Sequence, residues 1–207
     1  MTGVLTALPA GDAIMDLDSL QVRKAAMGDI APLLELINSY AAKGVMLSRT
    51  EFELSENIRD FSVIYSGNDL LGCGALHFYS PTMGEVRSLA VAENAKTRGV
   101  GRMLVEALVQ EAAQYLLDAV FAFTYVPQFF EKVGFREVER GTLPLKAWKD
   151  CLRCPKFQSC DEIAVLRVLN PVRWREHQSQ SGLPQGIASE ADFVMLPFVQ
   201  TSCKTAG

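Results

Sequence analysis

Residues 85–102 read EVRSLAVAENAKTRGVGR, and no other stretch limits the possible folds so strongly. Gly84–Val91 is strand-like, the loop after it carries Gly99 and Gly101, and that loop opens directly into a helix predicted from about Gly99 to Leu117. The helix has an apolar stripe of Val100, Met103, Leu104, Ala107 and Leu108, with Tyr115 and Leu116 on the same side. A strand, a glycine loop and a helix in that order can bring backbone against an anion. Gly99 and Gly101 remove side chains from the approach. The first N–H groups of the helix, with its dipole, favour a pyrophosphate. Lys96, Arg98 and Arg102 add positive charge. The plainer alternative is a glycine turn with basic residues in water. The dinucleotide fingerprint does not apply, because its third glycine would fall at Leu104.

The flanking sequence fills in a sheet. Leu20–Ala25 alternates enough for a short strand. Asp29 can cap a helix with Pro32 in its first turn, and Ile30, Leu33, Leu34 and Ile37 give that helix an apolar face that should end near Gly44. Thr50 and Glu53 have the spacing of a capping box for a second helix. Phe61–Tyr65, Leu70–Tyr79 and Gly84–Val91, separated by turn residues, predict an antiparallel meander. Val120–Thr124 is a strand, Pro127–Val133 a short helix ended by Gly134, and Phe135–Val138 and Glu162–Leu169 the last strands. The order β-α-α-β-β-β-α-β-α-β-β implies an α/β (α+β) mixed sheet with helices on both faces. In a chain of 207 residues with no internal repeat, this is one domain over 20–170. A loose leader over 1–19 and a tail over 171–207 flank it, and Phe193–Val199 in the tail is apolar enough to dock.

Lys plus Arg number 20 and Asp plus Glu 24, a net charge of −4, so nucleic acid is not expected as the main partner. No apolar run has the length needed to span a bilayer, and the N-terminus lacks the basic region of a secretory signal. Of the five cysteines, three crowd into Cys151–Cys160, which suits a reducing cytoplasm. Cys151, Cys154 and Cys160 are open to three readings: zinc ligands with Asp161, His177 or Cys203 as a fourth, a redox pair, or plain thiols. His77 and His177 show no ligand spacing, and His77, at the end of an apolar run, reads as structural.

Three segments in order resemble the GNAT acetyltransferase superfamily: Ser88-Leu89-Ala90-Val91, Lys96-Thr97-Arg98-Gly99-Val100-Gly101, and Phe129-Phe130-Glu131-Lys132-Val133-Gly134-Phe135. They match that family's splayed strand, its acetyl-coenzyme A loop (with Lys96 in place of the usual Gln or Arg) and its FYEKxGF signature, and the resemblance runs from about Leu20 to Leu169. Four further stretches are similar to short acetyltransferases of the N-acetylglutamate synthase type: 22–25, 46–50, 72–77 and 85–91. The resemblance implies acetyl-coenzyme A as cosubstrate and no metal for catalysis. It implies that Leu89, Ala90 and Val91 align the thioester arm, that backbone from Lys96 to Arg102 holds the pyrophosphate, and that Phe130 borders the cofactor. It leaves a homodimer open.

Acetyl transfer to an amine needs a base, a polarised carbonyl and a departing thiolate. Glu85, beside the expected acetyl position, is the base candidate, with a solvated strand carboxylate as the alternative. The family's usual acid, a Tyr, is replaced by Phe130, and Tyr125 is either its substitute or a packing residue. For an amino-acid acceptor a bidentate Arg suits the carboxylate. Arg49 resembles the carboxylate-binding Arg of glutamate acetyltransferases, and Arg87 and Ser88 are further candidates. Arg140–Cys160 carries Arg140, Lys146, Lys149, Arg153 and Lys156 against Asp150 alone, a local charge of +4 that fits a dianion such as glutamate. The expected activity is N-acetylation of a small amino acid, glutamate first, at the start of arginine synthesis. The alternatives are another small amine, a protein N-terminus, or a coenzyme A-binding sensor.

Overall fold

The computed structural model describes residues 20–143, 152, 154, 156 and 159–180. Its strands are β1 (Val22–Lys24), β2 (Phe61–Ser66), β3 (Asp69–Phe78), β4 (Met83–Val91), β5 (Ala119–Thr124), β6 (Arg136–Glu137) and β7 (Ile163–Val168). The helices are α1 (Ile30–Ala41), α2 (Glu51–Asn57), α3 (Val100–Gln114), α4 (Pro127–Glu131) and α5 (Pro171–Gln180). The strands form one seven-stranded sheet in the order β1-β2-β3-β4-β5-β7-β6. Every neighbouring pair is antiparallel except β4 and β5. Parallel neighbours need a crossover, and α3 supplies it. The expected mixed sheet and antiparallel meander are both present.

The central strands are buried on both faces, which is why β2 and β3 read as continuous apolar runs rather than alternating ones. On one face, Leu33 and Ile37 of α1 and Leu54 of α2 pack on Val63, Cys73 and Ala75. On the other, Val105, Leu108, Val109 and Ala112 of α3 pack on Leu76, Val86, Val120 and Val165. Among the described residues no helix is long and apolar enough to cross a membrane.

Three local expectations need correction. Tyr115 and Leu116 are exposed, and the buried stripe of α3 runs through Val105, Val109 and Ala112 instead, with Met103 and Ala107 only half-buried. The helix ends at Gln114, and Leu116 takes a left-handed φ of 60°, which turns the chain so that Leu117 enters the core. Asp29 does not cap α1 with its side chain. Its carboxylate accepts from the Ala26 N–H at 2.8 Å, from both Arg23 nitrogens at 2.7 and 2.8 Å, and from the Tyr65 hydroxyl at 2.9 Å. That network ties the chain before α1 to β1 and β2. The paired Arg23 guanidinium, offset in part by burial, holds the Asp29 carboxyl well below the usual carboxylate range.

The third correction concerns the tail, whose first residues, 171–180, form α5. Asp118, 1% exposed, accepts from Arg173 Nε at 2.6 Å and lies 2.9 Å from His177 Nδ1. Trp174 packs beside Phe121 and Leu143. Residues 1–19 and 181–207, including Phe193–Val199, lie outside the described residues. The Thr50–Glu53 capping box is present: the Glu53 N–H donates to Thr50 Oγ1 at 3.2 Å and the Thr50 N–H to Glu53 Oε2 at 2.9 Å.

Candidate active site

Two irregularities of the sheet create the site. In the β3–β4 ladder Cys73 pairs with Ala90 but Ala75 pairs with Arg87, so β4 carries one extra residue and bulges. Ser88 sits there at φ 52°, a conformation uncommon outside glycine. Opposite, a Cβ on Gly74 would stand 3.2 Å from Leu89 Cδ1 and 3.1 Å from Leu108 Cδ1, so any larger residue there requires both leucine side chains to shift. The extra residue inverts the facing of the strand. Before it Val86 packs on the α3 side, and after it Ala90 packs on the α1 side while Leu89 and Val91 turn toward α3.

The second irregularity is a splay. β4 and β5 are paired only at Met83 with Ala119, Gly84 with Val120 and Glu85 with Phe121. Past Glu85 they part, and a cavity of about 880 Å³ opens between them. Among the residues singled out in the sequence, Arg49, Glu85, Arg87, Ser88, Leu89, Tyr125 and Phe130 line it, with Arg140, Lys156, Cys154 and Cys160 beside them. The first seven come from the loop before α2, from β4, from the turn just after β5 and from α4. Glu85 and Arg87, two apart on one strand, share a face. Glu85 is 8% exposed. The Arg49 loop is fixed by Asn38, whose amide donates to the Arg49 carbonyl at 3.0 Å and accepts from the Arg49 N–H at 2.9 Å.

Tyr125 donates to Asp161 Oδ1 at 2.9 Å and accepts from Lys156 Nζ at 3.1 Å. Burial, opposed by Lys156 and reinforced by Asp161, raises its pKa, so the phenol holds its proton at neutral pH. Phe130 is buried edge-on between Phe129 and Phe135, with ring centroids at 5.3 and 5.1 Å.

Ala90, Val91 and the 96–102 loop do not line that cavity. Ala90 is core. The Val91 carbonyl accepts from the Tyr40 hydroxyl at 2.6 Å. Thr97 and Gly99 are left-handed at φ 63° and 84°, and nothing lies within 4 Å of a Cβ placed on Gly99. The turn therefore presents backbone, and the first N–H groups of α3 have no partner within the helix. Val100 is fully buried, so only its backbone is available. A Cβ on Gly101 would stand 3.3 Å from the Phe129 ring and 3.5 Å from Val91 Cγ2. Lys96 pairs with Glu93 at 2.9 Å and Arg102 approaches Glu106 at 4.0 Å. The loop thus continues the splay at the open end of β4.

Sequence reasoning passed over Asp60, whose Oδ2 lies 2.7 Å from His77 Nδ1 and 3.8 Å from Arg87 Nη2. It also passed over Glu162, which lines the cavity and whose pKa burial raises. Neither sits in a motif, so no sequence signal marks them. Of the basic stretch, Arg140 and Lys156 line the cavity, and Lys146, Lys149 and Arg153 lie outside the described residues.

Cys154 and Cys160 line the cavity as free thiols, while Cys151 and Cys203 lie outside the described residues. Among the described residues no three metal-donor side chains cluster. His177 is not a fourth ligand, because it sits on Asp118 before β5, whereas Cys160 precedes β7 at the far end of the β5–β7 ladder. Asp161 is occupied by Tyr125 and Lys156.

Residues 57–137 match the sequence profile of the acetyltransferase (GNAT) domain. The chain is 38% identical over 148 residues to an uncharacterized N-acetyltransferase of Chlorobaculum tepidum, covering 72% of this chain and 96% of that one. It is 33% identical over 135 residues to an amino-acid acetyltransferase of Mycobacterium tuberculosis, covering 64% of this chain and 77% of the relative. Of the longer amino-acid acetyltransferase of Aliivibrio fischeri it spans only 35%. The fold superposes with a TM-score of 0.67 and 27% identity on N-acetylglutamate synthase from Neisseria gonorrhoeae, crystallised with coenzyme A and N-acetyl-glutamate, over 73% of this chain and 35% of that one. The splayed strands, the glycine loop and these likenesses agree: the chain belongs to the GNAT family and is an N-acetyltransferase.

Proposed function

We propose that the chain transfers the acetyl group of acetyl-coenzyme A to the α-amino group of L-glutamate, in the cytoplasm, as the entry to arginine synthesis. One observation carries this reading. Arg49 and Arg87, each suited to a carboxylate, line the same cavity as the buried Glu85, and Arg140 and Lys156 border it as well. An acceptor with two carboxylates and an amine matches that set of groups.

The residues divide the chemistry as follows. The left-handed turn at Thr97 and Gly99 and the start of α3 take the pyrophosphate on backbone N–H groups. Backbone at Leu89 and Val91 aligns the thioester arm along the splay. Glu85 takes a proton from the acceptor's ammonium, and the neutral amine attacks the thioester carbonyl. The C–N bond forms, the C–S bond breaks, Tyr125 gives its proton to the departing thiolate, and the second proton of the attacking nitrogen, released as the amide forms, returns to the phenolate. The Lys156 ammonium beside the phenol favours that donation, because it offsets the phenolate charge left behind.

The test is an acetyl-transfer assay comparing glutamate with every other proteinogenic amino acid and with simple amines. Glutamate should give the highest kcat/KM. Preference for an acceptor without a carboxylate would sink the glutamate assignment and leave the GNAT chemistry intact.

A further inference from the structure

Each turnover of the proposed reaction leaves one proton on Glu85, and that proton must reach water before the next cycle. Glu85 is 8% exposed and lines the cavity that donor and acceptor would fill. A route that bypasses bound ligands runs sideways through the sheet. On one flank Glu85 is paired with Phe121, which carries no proton-transferring group. On the other flank it is paired directly with His77. Opposed residues of an antiparallel ladder share a face, with Cβ atoms about 4.5–5.5 Å apart.

His77 has the surroundings of a proton carrier. Its Nδ1 lies 2.7 Å from Asp60 Oδ2. An ionised carboxylate only accepts, so Nδ1 bears the hydrogen and Nε2 is left as the basic nitrogen. The side chain is 25% exposed and Asp60 27% exposed, so the pair reaches solvent, and neither residue lines the cavity. The charged groups around the ring are Asp60 from the turn before β2 and Glu85 and Arg87 from β4, while Tyr79 of the β3–β4 hairpin meets it edge-on at 5.1 Å.

We infer that His77, held by Asp60, exports the proton that Glu85 removes from the acceptor. The protonated Glu85 passes its proton to His77 Nε2, the imidazolium forms beside Asp60, and the ring releases the proton to water. Glu85 returns as a carboxylate, and the net product is the one proton that acetylation of an ammonium must liberate. His77 is a positioning and relay residue, since it meets neither donor nor acceptor. The inference rests on the reading of Glu85 as the base.

The experiment separates the first turnover from later ones. In His77→Gln the amide can still donate to Asp60, but it carries no proton. The first turnover, measured by rapid mixing, should keep the wild-type rate, because the relay acts only after Glu85 has taken its proton. Steady-state kcat should fall by about tenfold, less than the 10²–10⁴ attributed to a group that moves the proton in the transition state. KM for glutamate should not change. In His77→Ala, added imidazole should restore steady-state turnover. Equal slowing of first and later turnovers, full steady-state activity in His77→Gln, or no imidazole rescue would each overturn the relay. Glu85→Gln is the separate control. A slow first turnover there upholds the base and leaves His77 to be judged by its own variants. An unchanged first turnover removes the base and the relay together.

Discussion

Gly101 offers the sharpest test of where the cofactor lies. It stands in the first turn of α3, and a Cβ there would be 3.3 Å from the Phe129 ring and 3.5 Å from Val91 Cγ2. Valine adds two methyl groups beyond that point, which must push the ring aside. Overpacking of this kind costs about 1–3 kcal/mol, and the better helix propensity of valine returns a few tenths. The net loss is about 1–2.5 kcal/mol, and at about 2–4 °C per kcal/mol for a domain of this size the unliganded protein should melt about 2–10 °C lower. The informative readout is the ligand-induced shift. Acetyl-coenzyme A at about 100 times Kd stabilises by about 2.7 kcal/mol, or about 5–11 °C, in the unmodified protein. In Gly101→Val the displaced Phe129 and the new methyl groups close the approach to the loop, and the shift should fall to near zero at the same concentration. Differential scanning fluorimetry with and without acetyl-coenzyme A reads both quantities from one sample. A destabilised variant that keeps its full ligand shift would refute the placement of the cofactor on the 96–102 loop.

Glu85→Gln should lower turnover by about 10² or more with unchanged cofactor affinity, and an unaltered pH–rate profile would show that water is the base. Arg49→Ala should lower kcat/KM for glutamate by about 2–4 kcal/mol, with only part recovered by Arg49→Lys, and equal losses for an amine lacking a carboxylate would remove Arg49 from the acceptor site. The Asp29 carboxyl is held below its ordinary range, so its pairing stabilises the fold above the unfolded carboxylate pKa and is lost as pH falls through the acid range. Asp29→Asn should therefore flatten the drop in Tm between neutral and acid pH, and an unchanged slope would show that other carboxylates set it. Burial pushes the Cys73 thiol up to about 12, so it should resist alkylation at pH 8 in the native protein while Cys154 and Cys160 react, as mass spectrometry of the labelled cysteines would show.

Much of the fold was legible where a pattern is local, although the α3 stripe was extended too far, to Tyr115 and Leu116, which are exposed. The Thr50–Glu53 box, the two-turn meander and the glycine loop each depend on residues a few positions apart, and each formed as expected. Positions decided by distant partners were not legible. Asp29 has the chemistry of a cap, but Arg23 and Tyr65 compete for it, and nothing in the sequence near Asp29 shows that β1 and β2 bring them there. Pro171–Gln180 has the composition of a tail and folds as α5 because Asp118, buried before β5, holds Arg173 and His177. In the site, Glu85, Arg49 and Tyr125 are candidates through the resemblance of their neighbours to a family, and they line one cavity. Asp60 and Glu162 lie in no motif, and only the cavity and the β3–β4 register bring them into view.

The three residue pairs between β4 and β5 also have a mechanical meaning. They and the packing under α3 join two plates, β1–β4 and β5–β7, along a seam that stops at Glu85. Beyond it two strand edges face one another with backbone donors and acceptors and no bridging strand. A guest with amide groups, laid between Leu89–Val91 and Phe123–Tyr125, lengthens the seam and fixes the angle between the plates. Without it, no strand pairs join the plates beyond Glu85, and the angle between them rests on the three pairs and on the side chains packed under α3.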